Sequence, residues 1–132
     1  MCQLFIGAES DMWSSHAKSL RIDGVVTSIR MENFFWSVLD EIAYRDHMKV
    51  PQLITKLYHE AIDAEHDLGN FTSFLRVCCA RYLALIAAGD VSASLDDDLG
   101  SVAAQDILIK EKSRRQATQL KLSERPSNKK LN

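Results

Sequence analysis

The side chains of this chain that could do chemistry are few and scattered. Four histidines, His16, His47, His59 and His66, fall into no ligand spacing such as H-x-x-x-H, and no cysteine pair brackets them in a C-x-x-C pattern. His59 and His66 lie seven residues apart and can share a helix face, which a solvated surface explains equally well. Cys2, Cys78 and Cys79 are an odd number, and sequence neighbours rarely meet the geometry of a disulfide. On a helix, successive side chains diverge by about 100°, so one of Cys78 and Cys79 can face a core and the other cannot. They read as structural thiols of a reducing compartment. A nucleophile elbow, a phosphate-cradling glycine loop and a carboxylate pair poised for acid–base work are all missing from the sequence. No catalytic residue, metal ligand or cofactor is therefore expected. One stretch does order its polar groups. Val25–Met31 alternates, with Thr27, Ile29 and Met31 on one face of a strand and Val26, Ser28 and Arg30 on the other.

The elements that must position that strand follow from periodicity. Asp23-Gly24, between Ser19–Ile22 and Val25–Met31, is a hairpin-turn signal. After Met31 the apolar period changes from two to about 3.6. Phe35, Leu39, Ile42 and Ala43 then mark a helix near 32–46, with Trp36 and Val38 flanking its stripe. Pro51 opens a second helix near 50–65 whose apolar side is Leu53, Ile54, Leu57, Tyr58 and Ala61. A third, near 71–88, carries Phe71, Phe74, Leu75, Cys78, Tyr82, Leu85 and Ile86 and ends at Gly89. Residues 2–6 are expected to be a brief strand or a segment packed on the core, and 14–17 read as a linker. Trp13 and Trp36 are expected to anchor a core or a dimer interface. Beyond Asp90 comes an acidic loop, then a helix over 101–122 with sparse apolar positions, then ten residues of disordered composition.

Charge divides the chain. Residues 1–100 hold eight Lys and Arg against fifteen acids, a net of −7, while 101–132 hold eight against three, a net of +5. An acidic body disfavours polyanions unless its few cations gather on one face. No apolar run approaches the roughly 20 residues needed to cross a bilayer. The first residues also lack the basic and apolar regions of a secretory signal, so a cytoplasmic address is expected.

A strand leading directly into two amphipathic helices is the element order of ribbon-helix-helix proteins, and the resemblance extends to residues. Gly24, Thr27-Ser28, Arg30-Met31-Glu32, Phe35-Trp36, Leu39, Ile42-Ala43, Asn70-Phe71, Ser73 and Arg76-Val77 are similar to the pattern of a bacterial ribbon-helix-helix family of uncharacterised DNA-binding regulators. The N-terminal MCQLFIGAES looks like that of a member too. The match spans about residues 1–88 and omits the tail.

The resemblance implies a mainly α fold with a short β-ribbon and an additional C-terminal helix, in an intertwined homodimer or higher oligomer. In that arrangement the strand 25–31 pairs with the same strand of a second subunit. It further implies that Val26, Ser28 and Arg30 meet base edges of double-stranded DNA in the major groove. Arg30 would bridge O6 and N7 of guanine. Lys49 and Val50, at the amino end of the second helix, would lie against a phosphate, with Arg21 and Lys18 adding phosphate contacts. The expected layout is an N-terminal segment packing on the core (1–18), the ribbon-helix-helix domain with its third helix (19–88) and a charged tail, partly helical or disordered (89–132). The expected function is transcriptional regulation. The alternative is a protein-interaction adaptor or antitoxin-like protein whose tail binds a partner.

Overall fold

The computed structural model describes residues 2–126. The disorder expected of the last ten residues therefore falls largely outside the described part. The chain divides into two compact units, 1–100 and 101–132.

The first unit begins with a short helix α1 (Cys2–Ile6) and a 3₁₀ turn (Ser10–Trp13). Two strands follow, β1 (Ser15–Ile22) and β2 (Val25–Glu32), then three helices, α2 (Asn33–Arg45), α3 (Val50–Asp63) and α4 (Phe71–Ala87). β1 and β2 form one antiparallel hairpin, in register from Ser15 opposite Glu32 to Ile22 opposite Val25. Asp23 and Gly24 join them with φ of 52° and 81°. Two positive φ values give the I′ type of turn, whose twist matches that of the strands it joins. Glycine adopts that backbone without a Cβ penalty, and aspartate is among the side chains that tolerate it.

This hairpin corrects two expectations. Residues 25–31 are not a lone strand: residues 15–22 of the same chain pair along one edge, and the other edge has no strand beside it among the described residues. Residues 15–17 are accordingly strand, not linker. Ser14–Ala17 lacks apolar alternation because this end of the strand is solvated, which hides it from a pattern search. Cross-strand hydrogen bonds satisfy its backbone instead.

One face of the hairpin closes over the helices. Leu20, Ile22, Ile29 and Met31 are buried there with Trp36, Val38, Leu39 and Ala43 of α2, Val50, Leu53 and Ile54 of α3, and Leu75, Cys79 and Tyr82 of α4. Each large apolar side chain among them contributes about 1.5–3 kcal/mol relative to exposure. In α4 the inward thiol is Cys79, not the expected Cys78, because the buried row runs Leu75, Cys79, Tyr82 at spacings of four and three. Burial pushes the Cys79 thiol up to about 12, so it stays protonated and inert at neutral pH.

Residues 2–6 do not pack on this core as expected. They form a helical turn with Leu4, Phe5 and Ile6 exposed. Trp36 anchors the core as expected, whereas Trp13 is exposed.

A buried cation ties residues 90–100 to this unit. Arg45, at the end of α2, donates to the Ser92 carbonyl (2.8 Å), the Asp97 carbonyl (2.9 Å) and the Tyr82 hydroxyl (3.0 Å). The Tyr82 hydroxyl in turn donates to Glu41. The guanidinium thus meets neutral oxygens directly and a carboxylate through one phenol, which offsets the cost of burying its charge.

The second unit contributes α5 (Ala104–Ser123), close to the expected 101–122, and none of its residues is buried. Among the described residues no helix is long and apolar enough to cross a membrane.

Candidate nucleic-acid interface

Directly opposed residues in an antiparallel pair project to the same side, so the register sorts the ribbon into two faces. Val26, Ser28 and Arg30 of β2 lie opposite Arg21, Ser19 and Ala17 of β1. All six are exposed. Ile29 and Met31, one residue away from Arg30 on either side, are 3% and 0% exposed. The outer face therefore carries two guanidinium groups, two hydroxyls and one β-branched methyl surface, all released from any duty in the core.

Several contacts hold this face in place. Arg30 donates through Nη1 to the Ser15 carbonyl (3.3 Å) and hydroxyl (3.2 Å), laying its stem along the ribbon. Arg21 donates to the Gly24 carbonyl (3.0 Å), across the turn. A guanidinium has five N–H donors, so both retain donors for a ligand. At the tip, Asp23 is 2.8 Å from His59 of α3. At the other end, Trp36 donates to the His16 carbonyl (3.0 Å) and Arg76 of α4 pairs with Glu32 at 2.9 Å. The hydrogen bond from Arg76 holds the Glu32 carboxyl below the usual range. The ribbon is pinned at both ends by different helices.

Of the seven residues expected to act, the structure gathers four on one face, turns Lys18 to the other, and leaves Lys49 and Val50 at the start of α3. Val26, Ser28 and Arg30 share the outer face, and Arg21 joins them from the neighbouring strand. Lys18 does not: it lies opposite Ile29, with its ammonium 4.8 Å from the centroid of the Trp36 ring. The strand alternation, invisible while 15–17 read as linker, sends it to the other side.

At the start of α3, Lys49 is exposed, but its backbone N–H donates to Gln52 Oε1 (2.9 Å). The Val50 side chain is buried and serves the core. Val50 and Gln52 carry the remaining backbone N–H groups of this first turn, since Pro51 has none. Among the described residues no cluster of three or more His, Cys, Asp or Glu could hold a metal ion.

Sequence reasoning missed two cations of this unit. Arg45 was legible only as the position two turns after Val38, on the same helix face. Lys56 shares a depression with Arg21, a convergence of β1 and α3 that no local pattern encodes.

The comparisons with known proteins agree with this geometry. The model of a ribbon-helix-helix domain family matches residues 15–83, from the first residue of β1 to the later part of α4. An uncharacterised protein of Bordetella pertussis Tohama I has a similar solved structure, with a TM-score of 0.79 and 49% sequence identity. The alignment covers 82% of this chain and 86% of that one. No curated protein matches.

Proposed function

Because the chain belongs to the ribbon-helix-helix family, whose members typically bind DNA as dimers and are generally non-enzymatic, we propose that it is a homodimeric bacterial regulator of transcription. It acts in the cytoplasm and reads double-stranded DNA with the outer face of the β1–β2 ribbon. The single observation that carries this reading is the division of the ribbon. Val26, Ser28 and Arg30 stand exposed in a row, while the alternate residues Ile29 and Met31 are committed to the core. A two-stranded ribbon has the width of the major groove. Arg30 is suited to guanine O6 and N7, Ser28 to a donor or an acceptor, and Val26 to a thymine methyl. Lys49, Val50 and Arg21 meet phosphates on either side of that groove.

The need of a lone strand for a partner no longer argues for the dimer, since the hairpin meets it. Family habit does, together with the β2 edge facing away from β1, which has no strand beside it among the described residues. A second copy could add there without disturbing either hairpin.

Binding of the full chain to genomic duplexes, followed by anisotropy, tests the proposal. Arg30→Ala should cost about 1–3 kcal/mol of discrimination per contact between preferred and random duplexes and leave the fold unchanged. Equal discrimination by the variant and the parent would remove Arg30 from the interface. A second reading, the adaptor or antitoxin-like protein, draws on α5, a 20-residue helix that buries nothing. A small protein that co-purifies stoichiometrically through α5 would favour it.

A further inference from the structure

Between β1 and α3 lies an open depression of about 580 Å³ lined by Arg21, by Pro51, Gln52, Thr55, Lys56 and His59 of α3, and by the acidic Glu60. Gln52, Thr55, Lys56 and His59 sit at spacings of three and four along α3, so they form one face of that helix. Arg21 reaches the same space from the outer face of the ribbon. Two cations from separate elements thus meet beside two neutral hydrogen-bonding side chains.

How the first unit uses its cations shows why this matters. It has eight Lys and Arg against fifteen acids. Arg45 is spent on Ser92, Asp97 and Tyr82, Arg76 on Glu32, and Lys18 on the Trp36 ring. Arg81 is on α4. Arg21 and Arg30 donate to oxygens of Gly24 and Ser15 and keep further donors. Lys49 caps α3 and Lys56 stands on it, and of these four Arg21 and Lys56 line one depression. Of the acids nearby, Glu60 lines the depression itself and offsets one of its two cations, while Asp23 is engaged by His59 at 2.8 Å. A body with a net charge of −7 repels a polyanion at long range. Within this unit, favourable phosphate energy must therefore come from a local site of this kind.

We propose that this depression seats a phosphodiester of the DNA backbone flanking the groove that the ribbon reads, with Arg21 and Lys56 supplying charge and Gln52 and Thr55 neutral donors. The site rests on the DNA-binding reading above and adds to it side-chain contacts along α3 from Gln52 to His59, beyond the backbone N–H groups of the helix start. Its role is positional: it fixes the tilt of the ribbon in the groove and is blind to sequence.

The experiment is a salt titration of full-length protein on a mixed pool of genomic duplexes, with the parent, Lys56→Gln, Lys56→Arg and Arg30→Ala. Lys56 is exposed, so its replacement leaves the core intact, and circular dichroism verifies that. Lys56→Gln should lower the slope of log K against log salt by about 0.9 for each phosphate that the variant no longer neutralises. Its affinity should fall equally on every duplex, and Lys56→Arg should restore the parent slope. A parent-like slope for Lys56→Gln, or weaker binding without a change in slope, overturns the site. If Arg30→Ala still flattens discrimination in that case, the DNA-binding reading survives alone. If the parent binds no duplex at any salt concentration, both fall together.

Discussion

The two faces of the β1–β2 ribbon are built from the same backbone, yet they answer to different physics. On the inner face Leu20, Ile22, Ile29 and Met31 are each less than a tenth exposed and pack against three helices. On the outer face Val26 is 61% exposed, and Ser28 and Arg30 stand in solvent beside it. Strand periodicity makes this division absolute, because a slip of one residue would exchange the faces. The core therefore enforces the register, and the register keeps Val26, Ser28 and Arg30 on the outer face. Identity on the inner face is constrained by folding, and identity on the outer face is free of that constraint.

The largest expected effect breaks the inner face. Met31 is fully buried, so Met31→Ala should destabilise the protein by about 2–5 kcal/mol through reduced transfer energy and an unfilled cavity. Denaturant unfolding measures this directly. A loss below about 1 kcal/mol would mean that the hairpin packs only loosely on the helices, and would weaken the case that the core keeps Arg30 on the outer face.

Much of this division was legible in the sequence. The period-two run at 25–31 sorted Ile29 and Met31 from Val26, Ser28 and Arg30 correctly. Asp23-Gly24 announced the turn, and the switch to a period of about 3.6 located α2 to within a residue or two. What escaped is what depends on two elements at once. The strand character of Ser15–Ala17 comes from pairing with Arg30–Glu32 and not from its own side chains. With that strand unseen, the side on which Lys18 projects was unreadable. The burial of Arg45 depends on carbonyls some fifty residues later in the chain, at Ser92 and Asp97. Cys79 replaced Cys78 in the core because adjacent positions on a helix compete, and only the packing of α4 on its neighbours decides between them.

The outer face supplies the complementary test, with a smaller effect on stability. Ser28→Ala and Val26→Ala remove exposed groups with no core partner, so each should change unfolding free energy by no more than about 0.5 kcal/mol. The same proteins should bind preferred duplexes less well than the parent. Changes in binding without changes in stability would sharpen the contrast between faces. A marked loss of stability would show that the outer row also has a structural task.

Glu32 belongs to neither face cleanly, and it predicts the gentlest effect. It ends β2, precedes α2 and accepts from Arg76 of α4, with both side chains about a third exposed. That hydrogen bond, with the Arg76 charge beside it, places the folded carboxyl below its ordinary value of 4.5. A lowered folded value means that the unfolded state binds the proton more readily. The pair's stabilisation is thus complete above the ordinary carboxyl value and is lost as pH falls through the lowered one. Arg76→Gln should shift the acid-unfolding midpoint to higher pH and leave stability near neutrality only slightly changed, because an exposed pair is screened by solvent. Acid titrations of both proteins followed by circular dichroism measure the shift. Coincident midpoints would show that α4 does not brace this end of the ribbon through charge, leaving the packing of Met31 and Trp36 to hold it.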